Sequence, residues 1–143
     1  MKQFSPWLLI VLWLTSPITR AEQMQAFGDW EVHYSLFPTE FLNPQIASQY
    51  QVTRGRDRAL LNISVLDVND SPVRAEVAGT MTNLLSQQQS LAFREILEGV
   101  AVYYLAPVRH TDRELLRFRI TIRPPGDGEK VLTFQQTMYW DNL

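Results

Sequence analysis

The chain has 143 residues, which suits a single domain with a substantial hydrophobic core. Its formal net charge of −2 does not suggest nucleic-acid binding, because proteins of that class usually carry an excess of basic residues. The absence of cysteine excludes disulfides and thiolate metal sites, so the stability of the domain has to come from packing.

The N-terminus has the parts of a secretory signal peptide in their usual order. Lys2 supplies a positive charge, residues 4–14 are almost entirely apolar, and small residues precede a cleavage site after Ala21. A membrane anchor is the alternative, but a spanning helix needs about 20 apolar residues and this run has about half as many. We therefore predict a signal peptide over residues 1–21 and one released domain over residues 22–143, which does not span a membrane after cleavage.

Several stretches of the mature chain alternate apolar and polar residues, a pattern typical of β-strands with one buried face. The clearest runs from Leu116 to Ile122, where every second residue is apolar. This pattern predicts an all-β, immunoglobulin-like β-sandwich of about seven antiparallel strands. An outer-membrane barrel is the rival architecture, but such barrels have even strand counts. The predicted strands cover residues 30–36, 59–65, 73–77, 91–97, 100–108, 116–123 and 132–140.

One segment, residues 43–50, departs from this alternation and predicts one short helix. Asn43 is a good N-cap, and Pro44 is favoured at the first helical position. Ile46 and Tyr50 are four residues apart and share one face of a helix. We expect the helix to dock over an open end or edge of the sandwich, either as a plug for the core or as a cover over a ligand cleft.

Catalytic and metal sites have little support in the sequence. His33 lies on the polar face of a predicted strand, and His110 lies with Asp112 in a predicted hairpin turn, where aspartate ordinarily bonds local backbone. No Gly-x-Ser-x-Gly nucleophile motif occurs. Asp67 and Asp70 precede a Ser-Pro pair, which favours an ordinary turn over a calcium loop. We predict no catalytic residue, no metal ligand and no cofactor, and a hydrolytic enzyme is the least favoured alternative.

A stripe of arginines is the strongest candidate for binding. Arg117, Arg119 and Arg123, hereafter the arginine stripe, share the polar face of one strand, where neighbouring positions are about 7 Å apart. Two interpretations remain open. The stripe recognises an acidic partner, or carboxylates of neighbouring strands neutralise it. The candidate carboxylates are Glu31, Glu76 and Glu95.

Short motifs are spread along the whole mature chain. They are Gly28-Asp29, Val32-His33-Tyr34, Leu61-Asn62-Ile63-Ser64-Val65, Thr82-Asn83-Leu84-Leu85, Phe93-Arg94-Glu95-Ile96 and Phe134-Gln135-Gln136-Thr137. With these motifs the chain resembles domain-of-unknown-function family 4426, which comprises small exported proteins of bacteria with a two-membrane envelope. The resemblance implies a periplasmic location and brings no assigned catalytic residues.

These features predict a periplasmic, non-enzymatic binding or adaptor module. It would act through an exposed strand edge or the arginine stripe, on an envelope protein or an anionic envelope component. The alternative is a carrier of a small apolar ligand, which would bind in a cleft under the helix at residues 43–50. The residues expected to line that cleft are Tyr34, Tyr50 and Tyr103.

Overall fold

A computed structural model describes residues 23–141, so the predicted signal peptide lies outside the described residues. The described chain is built from nine strands, with a 3₁₀ turn at Thr39–Phe41 and helix α1 at Pro44–Gln49. No helix between residues 23 and 141 has the length and hydropathy needed to cross a bilayer. The strands are β1 (Gln23–Phe27), β2 (Trp30–Pro38), β3 (Arg58–Leu66), β4 (Glu76–Asn83), β5 (Gln88–Ser90), β6 (Arg94–Glu98), β7 (Ala101–Arg109), β8 (Glu114–Arg123) and β9 (Lys130–Met138).

The strands form two antiparallel sheets that pack face to face. One sheet has the order β1-β2-β3-β7-β6, and the other has the order β5-β4-β8-β9. The inward residues follow the period of 2, since Leu116, Phe118 and Ile120 of β8 are almost fully buried and the residues between them are exposed or half-buried. The predicted all-β sandwich with one short helix is therefore confirmed, and the described chain has nine strands where about seven were expected.

Two stretches predicted as strands are crossings between the sheets. β5 belongs to the four-stranded sheet and β6 to the other, so residues 91–93 connect the two sheets, and β6 begins only at Arg94. Residues 73–75 make the same kind of crossing between β3 and β4. Leu91 is 8% exposed, and Val73 and Ala75 pack against the core, so each crossing carries apolar side chains like those of a strand. Apolar residues in the sequence indicate burial, and both strands and crossings between sheets bury such residues.

The predicted helix is present, but a different residue from the expected one anchors it. Asn43 caps α1, because its Oδ1 accepts a hydrogen bond from the Ile46 amide at 2.8 Å. Ala47 is the buried residue of the helix, at 3% exposure, whereas Ile46 is 39% exposed, which corrects the expected apolar face. The end of the segment contacts β6, the edge strand of the five-stranded sheet, in agreement with the expected docking at an edge. The outer face of that sheet is covered, since Leu60 and Leu105 alternate with the inward residues and are buried as well.

Candidate functional site

The outer face of the four-stranded sheet carries the arginine stripe between two rows of polar residues. In the register of β4, β8 and β9, Arg117 lies between Thr82 and Gln135. Arg119 lies in the same way between Thr80 and Thr133. The nearest cross-strand neighbours of both arginines therefore end in hydroxyl or amide groups, and none of them is a carboxylate.

Among the residues that the structure describes, only Arg123 of the stripe is paired with a carboxylate of another strand. Arg123 Nη1 lies 3.6 Å from Glu76 Oε2, and the two residues are directly opposite in the β4–β8 register. Within residues 23–141, Arg117 and Arg119 make no ion pair at 4.0 Å or less. The expectation of internal neutralisation thus holds for Arg123 alone.

The other two candidate carboxylates are occupied elsewhere. Glu31 lies 3.2 Å from His33 on its own strand, on the other sheet. Glu95 accepts from the Arg74 guanidinium through both oxygens, at 2.8 and 3.3 Å. Arg117 and Arg119 consequently present two exposed guanidinium-bearing side chains from strand positions about 7 Å apart on a polar sheet face. Such groups form bidentate, charge-assisted hydrogen bonds with carboxylates and phosphates.

The three tyrosines expected to line one cleft are separated. Tyr34 and Tyr103 line a groove of about 1000 Å³, whereas Tyr50 donates a hydrogen bond to Glu98 Oε2 at 2.6 Å outside it. This bond raises the pKa of Tyr50 above its ordinary value. Arg94 donates to the Tyr50 carbonyl and so fastens the end of the helical segment to β6. The helix is therefore held on the sheet by polar contacts that the sequence pattern did not reveal.

A small cavity beside residues 51–53, which follow α1, has three arginines in its walls. Its volume is about 200 Å³, and its walls include Arg58, Arg94 and Arg109. Ligand sites for small molecules ordinarily occupy about 300–1,000 Å³ and are mostly apolar. Tyr34 and Tyr103 instead line the larger groove without Tyr50, so the three tyrosines do not share the single cleft that the carrier hypothesis expected under the helix.

A hydrogen-bonded cluster joins the two sheets at one end of the sandwich. Tyr104 of β7 donates its hydroxyl proton to Glu95 at 2.9 Å and accepts the amide of Ala75, which leads into β4, at 2.8 Å. The guanidinium of Arg74 and the hydroxyl of Tyr104 lower the pKa of Glu95. Burial, followed by the contact with Glu95, raises the pKa of Tyr104. These opposed shifts indicate a closed structural cluster around an ionised carboxylate.

The histidines are not arranged as a catalytic pair. His110 is 5% exposed, and its Nδ1 donates to the Thr111 carbonyl at 2.9 Å. Asp112 instead accepts the backbone amide of Trp140 at 3.0 Å. Within residues 23–141, no group of three or more histidine, aspartate or glutamate side chains is arranged to hold a metal ion.

The fold and these surfaces define a small β-sandwich domain with an uncovered, arginine-bearing sheet face. The chain belongs to the DUF4426 family (Domain of unknown function), whose sequence profile matches residues 24–141. The crystal structure of a DUF4426 family protein from Pseudomonas aeruginosa PAO1 is 31% identical and superimposes with a TM-score of 0.77. That match covers 87% of this chain and 99% of the Pseudomonas chain.

Two structures of FetP from uropathogenic Escherichia coli share the fold at 11% identity. A copper-bound variant has a TM-score of 0.58, with coverage of 82% of this chain and 95% of FetP. FetP as isolated has a TM-score of 0.59, with coverage of 83% and 94%. No curated protein sequence is significantly similar to the chain. The likeness to FetP concerns the arrangement of strands alone.

Sequence reasoning missed the polar residues of the large groove, Asn62 and Gln136. Gln136 occupies an inward position of β9 between Phe134 and Met138. A lone amide on an apolar face was the available signal, since buried amides need hydrogen-bond partners. Asn62 gives a similar signal among the apolar residues of β3, but it was passed over because it falls on the face expected to be polar.

Proposed function

We propose that this protein is a non-enzymatic binding module of the bacterial periplasm, which recognises an anionic partner through Arg117 and Arg119. One observation carries the proposal. In a chain with more acidic than basic residues, these two arginines lack a carboxylate partner within residues 23–141, whereas Arg74 and Arg123 each have one.

The electrostatics of the stripe favour an anion as the partner. Two like charges about 7 Å apart repel by about 0.6 kcal/mol even in bulk water, and by more next to a protein surface. An anion that bridges Arg117 and Arg119 relieves this repulsion and forms charge-assisted hydrogen bonds. The hydroxyls of Thr80 and Thr82 and the amide of Gln135 flank the site and offer further hydrogen bonds. The surface therefore suits an extended anionic chain better than an isolated small ion.

A periplasmic location is supported by the predicted signal peptide over residues 1–21 and by the family to which the chain belongs. One FetP structure comes from protein expressed in the periplasm of Escherichia coli. A non-enzymatic role is supported by His110, whose Nδ1 donates to the Thr111 carbonyl, and by Asp112, which accepts the Trp140 amide instead of pairing with that imidazole.

The proposal is tested with a double variant, Arg117→Gln with Arg119→Gln, and a charge-matched control, Arg54→Gln with Arg113→Gln. Poly-L-glutamate represents an acidic protein segment, and vesicles containing phosphatidylglycerol represent anionic lipid headgroups. We expect the native protein to bind one of the two probes with an affinity that falls as salt rises. The stripe variant should lose about tenfold or more in affinity, and the control about twofold or less. Equal losses in both variants, or no binding to either probe, would overturn the proposal.

A further inference from the structure

A large groove lies between the end of β2 and the end of β9, hereafter the β2–β9 groove. Its volume is about 1000 Å³. Consecutive residues of β2 line it, including Tyr34 and Ser35, which point to opposite faces of the sheet, so the groove wraps around the edge of that strand. The side-chain amide of Gln136 donates to the Leu36 carbonyl at 3.1 Å and holds the two strands together across the groove.

The β2–β9 groove differs from every charged surface of the molecule. All of its described lining residues are uncharged, so neither a cation nor an anion finds an ionic partner there. Aromatic rings and hydrogen-bonding groups contribute together to its walls. The aromatic residues include Tyr34, Phe41, Tyr103 and Tyr139, and the polar residues include Asn62 and Gln136.

Two aromatic side chains of the groove are exposed, and one polar atom among its lining residues lacks a hydrogen-bond partner. Phe41 is 58% exposed and Tyr139 is 47% exposed, which is unusual for large aromatic side chains in a folded domain. Asn62 Oδ1 is buried and has no hydrogen-bond partner. A buried acceptor without a donor is unfavourable, so a ligand that supplies a hydroxyl or amide proton stabilises the site.

We infer that the β2–β9 groove binds a neutral oligosaccharide. Sugar rings have apolar C–H faces that stack on aromatic rings, and their rims carry hydroxyl donors and acceptors that match amides and hydroxyls. A pure hydrocarbon leaves the Oδ1 atom of Asn62 without a partner, which costs binding free energy. The groove is at the upper end of the size range for small-molecule sites, which suits more than one sugar ring.

This site is separate from the arginine stripe in both position and chemistry. None of the stripe arginines lines the β2–β9 groove. A saccharide bound there leaves the outer face of β8 free, so one molecule has room for a neutral glycan at the groove and an anionic partner at the stripe.

The test uses protein purified from the periplasm and three neutral probes: chitotriose, cellotriose and maltotriose. Isothermal titration measures affinity, and amide chemical shifts locate the bound sugar. We expect at least one trisaccharide to bind and to shift the resonances of Asn62 and Gln136. Tyr103→Ala should weaken that binding about fivefold or more, and Phe41→Ala should weaken it as well. The matched control Tyr50→Ala removes a tyrosine outside the groove and should leave the affinity unchanged.

Three results would contradict the inference that the groove binds a neutral oligosaccharide. No binding of any trisaccharide at millimolar concentration would overturn the inference, as would binding that tolerates both Tyr103→Ala and Phe41→Ala. Tight binding of the apolar fluorophore N-phenyl-1-naphthylamine without any sugar binding would assign the groove to an apolar ligand instead. The Arg117→Gln, Arg119→Gln protein should bind the sugar normally, so this inference and the anionic-partner proposal can fail independently.

Discussion

Arg123 of β8 lies directly opposite Glu76 of β4, with 3.6 Å between Nη1 of the arginine and Oε2 of the glutamate. Four and six residues further along β4, Thr80 and Thr82 on the same face lie opposite Arg119 and Arg117. The Glu76 carboxylate thus pairs with Arg123, whereas Arg117 and Arg119 on the same strand have no carboxylate partner within residues 23–141. This difference makes the anionic-partner proposal testable by gain as well as by loss of binding.

Removing the Glu76 carboxylate should strengthen anion binding. Glu76→Gln frees the Arg123 guanidinium and lengthens the run of unpaired arginines on β8. We expect affinity for the anionic probe that binds the native protein to rise about two- to fivefold, in line with the modest strength of exposed ion pairs. Titration at two salt concentrations measures the change. Glu40→Gln removes the same charge from the region of the 3₁₀ turn, and a similar gain there would assign the effect to net charge rather than to the stripe.

Thr39 should prove important for stability despite its polar side chain. The residue is only 1% exposed. Its hydroxyl bonds the carbonyls of Gly55 and Arg58 at 3.1 and 3.0 Å, and it accepts the Gly55 amide at 3.0 Å. Thr39→Val keeps the shape but leaves these buried backbone groups without their partner. We expect a loss of about 1–3 kcal/mol in the free energy of unfolding, measured by urea denaturation. Thr39→Ser retains the hydroxyl and should lose less, and the opposite ranking would contradict this account.

Gly79 should be intolerant of any side chain. A Cβ at this position would lie 2.6 Å from the Ile120 side chain and 2.8 Å from the Arg119 carbonyl. Gly79→Ala therefore forces β4 and β8 apart or displaces Ile120, which is fully buried. We expect a destabilisation of about 1–3 kcal/mol, read from the urea midpoint. Gly128→Ala is the control, because nothing lies within 4 Å of its Cβ position, and an equal effect there would rule out the steric explanation.

The Glu95 carboxylate should make stability depend on pH in the acid range. Hydrogen bonds from Arg74 and Tyr104 lower its pKa in the folded state below the unfolded value of about 4.3. The ionised carboxylate therefore stabilises the fold at neutral pH, and this contribution is lost as pH falls through the folded-state pKa. Glu95→Gln should lower the melting temperature at pH 7, and the gap from the native protein should shrink toward about pH 2.5. A gap that stays constant with pH would show that the carboxylate charge is not responsible.

The sequence predicted the fold class because the alternation of β2, β3 and β8 has a direct physical cause. Successive side chains of a strand point to opposite faces, so one buried face leaves a period of 2 in the chain. Crossings between sheets also bury apolar residues, although their side chains do not alternate between two faces. The apolar residues at 73–75 and 91–93 therefore predict strands where the structure has crossings. The short strand β5 escaped prediction because its residues Gln88–Ser90 are polar, and its pairing depends on hydrogen bonds to β4.

For the candidate sites as well, the sequence predicts what depends on one strand and not what depends on the tertiary structure. That Arg117, Arg119 and Arg123 share one strand face followed from their spacing alone, since the period of a strand is a local property. Which of them finds a carboxylate did not follow, because register and sheet order bring Glu76 to Arg123 and send Glu95 to Arg74. The sequence by itself also determined the predicted export signal, the cysteine-free composition and the helix cap at Asn43. Only the tertiary structure decided that Tyr34 and Tyr103 both line the β2–β9 groove while Tyr50 lies outside it, because the walls of that groove come from residues far apart in the chain.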